Sequence, residues 1–138
     1  MLKVEKISPL AHTPTRAHAT DAGLDLYSSK YYTLMPGERK LISTGVKMVI
    51  PDGYVGLVWD KSGIAKIGVH TMAGVIDSGY RGEILVNIIN LSNNIYTITP
   101  GQKVAQLLIQ KVENPLIIEE IVKNDTDRGV KGFGSTGL

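Results

Sequence analysis

Short apolar runs recur along the chain and stop at turn signals. The runs are "KLISTGVKMVI" at 40–50, "YVGLVW" at 54–59, "EILVNIINL" at 83–91, "KVAQLLIQKV" at 103–112 and "PLIIEEIV" at 115–122. The signals between them are "MPGER" at 35–39, "IPDGY" at 50–54, "LSNNI" at 91–95 and "TPGQK" at 99–103. Proline presets one backbone angle of a turn and glycine admits the positive φ of another. Short β-branched runs spaced in this way predict strands of an all-β sandwich or barrel. Only "SGIAKI" at 62–67 has helical character, with Ser62 as the expected N-cap.

Bulk properties narrow the class without naming an activity. A length of 138 residues fits one domain with a modest core. No apolar run reaches the length of a membrane span, and the first ten residues carry no apolar stretch of the signal-peptide kind, so an intracellular, cytoplasmic protein is expected. The absence of cysteine excludes disulfides and thiolate metal sites. A net charge of +2 with scattered Lys and Arg provides no nucleic-acid footprint.

Two carboxylates stand beside glycines. Asp25 lies in "DAGLDLY" between two leucines, where a buried acid needs a partner or a metal. Asp77 lies in "AGVIDSGYRGE", within five residues of Tyr80 and Arg81. The plain reading of Asp beside Gly is a turn. In "DKSGIA", Lys61, Ser62 and Gly63 open the short helix; the alternatives are an anion contact and an ordinary cap with a solvated lysine. His12, His18 and His70 lack paired spacing, which argues against zinc.

The chain closes on "RGVKGFGSTGL", where its only phenylalanine, Phe133, sits among glycines. A frayed end is one reading. The letters also spell G-x-G-x-x-G, but that fingerprint needs a strand before it and a helix after it, and only Leu138 follows. A flap over a ligand is the third: Arg128, Ser135 and Thr136 suit phosphate and Phe133 suits a flat base. Carboxylates, cations, hydroxyls and one aromatic together form a kit for a nucleoside triphosphate with a hard metal such as Mg²⁺.

Five segments in order resemble the trimeric dUTP diphosphatase (dUTPase) family: "AGLDL", "DKSGIA", "GVIDSGYRGEI", "GQKVAQLLI" and "RGVKGFGSTG". The resemblance implies an all-β, distorted jelly-roll-like barrel over residues 1–127 and a flexible, substrate-closing tail over 128–138. It implies a homotrimer with active sites at subunit interfaces, and Mg²⁺-assisted hydrolysis of dUTP to dUMP and pyrophosphate. That reaction limits uracil incorporation into DNA and supplies dUMP for dTMP synthesis; no nucleic acid or membrane partner is implied.

Carried across by position, Asp77 would activate the water and Asp25 would hold the metal through water. Tyr80 would pack on deoxyribose, and the hairpin with Thr71, Gly74, Val75 and Ile76 would read uracil. Lys61, Ser62, Gly63 and Gln106 would meet the phosphates. Arg128, Ser135 and Thr136 would clasp the distal phosphates, and Phe133, next to Gly134, would stack over uracil.

Departures are visible. Asp60-Lys61 replaces the usual Pro-Arg; lysine lacks the bidentate fork, and Asp60 is expected to neutralise it in part. Thr71 stands where many bacterial members have a uracil-facing asparagine, which leaves base reading to the backbone. A dCTP deaminase-type enzyme on the same fold would need a glutamate where this chain has Arg81. A non-catalytic trimeric regulatory protein would need no water-activating acid.

Overall fold

The structure is a computed structural model that describes residues 1–132. Ten strands and one helical turn follow in order: β1 (Lys3–Lys6), β2 (Leu24–Tyr27), β3 (Tyr32–Leu34), β4 (Arg39–Val49), β5 (Tyr54–Trp59), α1 (Ser62–Ala65), β6 (Val69–Met72), β7 (Val75–Ile76), β8 (Glu83–Asn90), β9 (Tyr96–Ile98) and β10 (Lys103–Lys111). Two four-stranded sheets, β1-β4-β8-β6 and β2-β10-β5-β7, are joined by the β3-β9 ribbon, and every pairing is antiparallel. The expected all-β architecture is therefore observed. No helix among the described residues is long and apolar enough to cross a membrane.

The alternation in the sequence becomes two faces of each strand. On β8, Ile84, Val86 and Ile88 are buried while Leu85 faces outward. They meet Leu26, Leu34, Ile42, Val46, Ile98, Val104 and Leu107 in one core. Each fully buried aliphatic side chain contributes about 1.5–3 kcal/mol. Asn90 is also fully buried. Its amide donates to the carbonyls of Leu34 (3.0 Å) and Asn94 (2.8 Å), so its polar atoms cost little.

Two expectations change. The N-cap of α1 is Lys61 rather than Ser62, and no side chain caps the helix. The run at 115–122 forms no strand: Leu116, Ile117, Ile121 and Val122 are each more than 90% exposed. A strand needs a neighbour for its N–H and C=O groups, and this segment lies beyond the last paired residue, Lys111.

Candidate active site

The first group of site residues gathers on the sheet containing β10. Antiparallel register places Gln106 of β10 between Asp25 of β2 and Trp59 of β5. The carboxylate of Asp25 is buried, and each oxygen accepts from an ammonium: Oδ1 from Lys61 and Oδ2 from Lys103, the latter at 2.7 Å. Burial raises the pKa of Asp25, but the bonds from Lys103 and Lys61 outweigh it and hold the acid below the usual carboxylate range. The same contact raises the pKa of Lys103. Asp25, Lys61, Lys103 and Gln106 line a cavity of about 300 Å³ together with Asp21 and Gly23. Ser62 and Gly63 follow directly on α1 and are exposed.

Asp60 does not neutralise Lys61. Its carboxylate turns to β6, where Oδ1 accepts the Thr71 N–H and Oδ2 meets His70 Nδ1, both at 2.6 Å. Desolvation opposes ionisation of Asp60, and the contacts from His70 and Thr71 more than offset it, lowering its pKa. Lys61, which the sequence paired with its chain neighbour, is instead bonded across strands to Asp25.

The second group is built on the β6–β7 hairpin and the turn after it. Ala73 (φ 58°) and Gly74 (φ 109°) occupy successive left-handed positions. A Cβ on Gly74 would lie 2.9 Å from both Cβ and the carbonyl oxygen of Val58, so glycine alone fits there. The Gly74 carbonyl accepts from Val58 N–H at 2.8 Å, which ties the hairpin to β5. Asp77 follows β7 and is exposed, and its carbonyl accepts the Tyr80 N–H at 3.0 Å, closing a turn. The Tyr80 ring folds over Gly82, where any side chain would overlap it, and its hydroxyl donates to the Glu83 carbonyl at 3.0 Å. Gly74, Val75, Ile76, Asp77 and Tyr80 line a cavity of about 210 Å³ with Glu83 and Ile84.

These are two separate cavities, with no residue among those lining one that also lines the other. Thr71 joins neither; it is buried and engaged with Asp60. Arg128 is exposed, donates to the Lys131 carbonyl at 3.1 Å and lines neither cavity. Phe133, Gly134, Ser135 and Thr136 lie outside the described residues.

Lys103 was not expected at the site: strand alternation puts it on the face opposite Gln106, and only the register shift between Lys103 and Ala105 accompanies its place in the same cavity. Sequence reading also missed Glu83, whose Oε1 accepts from Gly45 N–H at 2.7 Å and from the Ser43 hydroxyl. These bonds secure the bulge in β4 between Ser43 and Lys47, so Glu83 braces the wall of the Asp77 cavity.

Residues 10–137 match the family model for dUTPase. The deoxyuridine 5'-triphosphate nucleotidohydrolase of Mycolicibacterium gilvum is 46% identical over 99% of this chain and 94% of its own length. The chain belongs to the dUTPase family. The Camelpox virus deoxyuridine 5'-triphosphate nucleotidohydrolase is 43% identical over 93% of this chain and 87% of its own. The dUTPase of Staphylococcus bacteriophage 80alpha, solved with dUpNHpp, superposes with a TM-score of 0.93 at 33% identity, covering 100% of this chain and 99% of that one. A variant dUTPase from phage phi11 of S. aureus, whose structure describes coordination of a structural Mg(II) ion, has a TM-score of 0.83 at 30% identity over 91% of this chain and 99% of that one.

This dUTPase-family chain has no cluster of three acidic, His or Cys side chains among its described residues to cage a metal alone. What it has is one buried carboxylate, Asp25, opening with two lysines onto a polar cavity. That donor set fits Mg²⁺, which keeps several waters and takes one or two carboxylates together with substrate phosphates.

Proposed function

We propose that this protein hydrolyses dUTP to dUMP and pyrophosphate, removing a precursor of uracil in DNA and supplying dUMP. The observation that carries the reading is the pair of complementary half-sites. One is cationic with a single buried carboxylate, and the other is a hairpin with an exposed acid and a tyrosine. Nucleotidohydrolase relatives at more than 40% identity over nearly the full chain support the substrate.

Asp77 orients the attacking water and takes its proton; it is exposed and makes no ion pair among the described residues, which leaves its carboxylate accessible. Backbone groups at Gly74–Ile76 read the uracil edge, and the Tyr80 ring packs on the deoxyribose where a 2′-hydroxyl would need room. Lys61, Ser62, Gly63 and Gln106 hold the phosphates, with Lys103 beside them. Asp25 would hold Mg²⁺ through water. Mg²⁺, when bound, neutralises charge on the triphosphate oxygens. In-line attack on phosphorus needs this positioning and charge neutralisation more than covalent help from the protein.

The working unit is a homotrimer whose neighbouring copies bring the two half-sites together. The apolar, exposed run at 115–122 supports it, because a strand-like segment without a partner among the described residues suits a sheet of another copy. Arg128, Phe133, Gly134, Ser135 and Thr136 belong to a tail, residues 128–138, that closes over bound nucleotide. Incubation with dUTP, dCTP, dTTP and UTP, with and without Mg²⁺, tests the reading. Pyrophosphate from dUTP in the presence of Mg²⁺ is expected. Ammonia from dCTP, or no pyrophosphate from dUTP, would contradict it.

A further inference from the structure

We propose that Asp60 is a positioning residue that clamps the Lys61–Gly63 segment to β6 and β10 and so sets the affinity for triphosphate. The inference rests on the reading of that segment as a phosphate contact. Asp60 directly precedes Lys61, the N-cap of α1, and it makes contacts in three directions. Its carbonyl accepts the Gln106 side-chain amide of β10 at 2.8 Å. Its Oδ1 accepts the backbone N–H of Thr71, and its Oδ2 pairs with His70 Nδ1, both on β6.

The consequences run to both sides of the site. Gln106 reaches the phosphate cavity from β10, and its amide is oriented by Asp60. Thr71 and His70 open the hairpin that leads to Gly74 and Asp77. One residue therefore ties the cationic segment to the strand that carries the base-reading hairpin. The side-chain contacts also turn the Asp60 carboxylate away from Lys61, whose ammonium bonds Asp25 instead. Deprived of the carboxylate, the Thr71 N–H of a buried residue loses its acceptor, and the chain must shift to satisfy it. Small displacements of positioning groups have large effects on binding and rate.

The test is steady-state pyrophosphate release from dUTP by wild type, Asp60→Ala and Asp60→Asn. Asp60→Ala is expected to raise KM by ~10-fold with kcat within about twofold, because a displaced phosphate segment weakens binding while the Asp77 turn keeps its own closing bond to Tyr80. Asp60→Asn keeps an acceptor for Thr71 and a partner for His70, so its KM should lie within about threefold of wild type. Unchanged kinetics in Asp60→Ala would overturn the clamp, as would a KM in Asp60→Asn as poor as in Asp60→Ala, since charge alone would then matter. If Asp60→Ala does not fold, His70→Ala carries the test, its side chain being exposed. A severalfold rise in KM at constant kcat supports the clamp, and an unchanged KM overturns it. Wild type that releases no pyrophosphate from dUTP sinks the functional reading instead.

Discussion

Lys103 and Asp25 face each other across neighbouring strands, with Nζ of one 2.7 Å from Oδ2 of the other. Lys61, just beyond the end of β5, bonds the second oxygen. The two ammonium groups thus favour the ionised form of this buried carboxylate.

This arrangement makes stability pH-dependent with a definite sign. The folded pKa of Asp25 lies below its ordinary value, so its contribution is full above the ordinary carboxylate range and is lost as pH falls through the folded pKa. Asp25→Asn should therefore be less stable than wild type at neutral pH, with two lysines left close together. The gap should narrow as pH falls below about 4. Urea unfolding at several pH values measures it, and a gap that widens in acid would contradict the assigned pairing.

Asp77→Asn should lower kcat by ~10²–10⁴-fold, since the amide keeps the shape but takes no proton. Binding of a non-hydrolysable dUTP analogue, followed by calorimetry, should change little. Near wild-type turnover would remove Asp77 from the chemistry.

If the Tyr80 ring, folded against Gly82, packs on the deoxyribose as proposed, UTP should be a far poorer substrate than dUTP. Tyr80→Ala should narrow the kcat/KM ratio of the two nucleotides. A ratio unmoved by that substitution would place the sugar gate elsewhere.

What was legible in the sequence follows from range. Asp77, Tyr80 and the hairpin glycine Gly74 are local: turn chemistry and a cluster of chemical side chains within a few residues announce them. The core was legible too, since alternation along β8 and the run on β10 give their buried faces directly. Partnerships across strands were not. Asp60 was expected to answer Lys61 because they are adjacent, yet register sends one to His70 and Thr71 and the other to Asp25. Residues 115–122 misled for a related reason: their composition signals a strand, but no ladder partner stands beside them among the described residues.

That segment yields its own prediction. Ile117 is 97% exposed in the isolated chain, where a polar substitution would ordinarily change stability by no more than about 0.5 kcal/mol. If the segment docks on a neighbouring copy, Ile117→Asp should shift the sedimenting species towards monomer and lower activity in parallel. A variant of unchanged mass and activity would leave 115–122 as a free arm.

The division of the site between copies is tested most directly by mixing two inactive variants. Asp25→Asn lacks a functional phosphate half, and Asp77→Asn lacks the water-activating half. After partial denaturation and reassembly in equal amounts, random assortment should pair an intact half from each in about one quarter of the sites. The account predicts recovery of about that share of wild-type dUTP turnover from two preparations that are silent alone. A mixture that stays inactive despite proven exchange of subunits would mean that each chain carries its whole site, and would contradict the account.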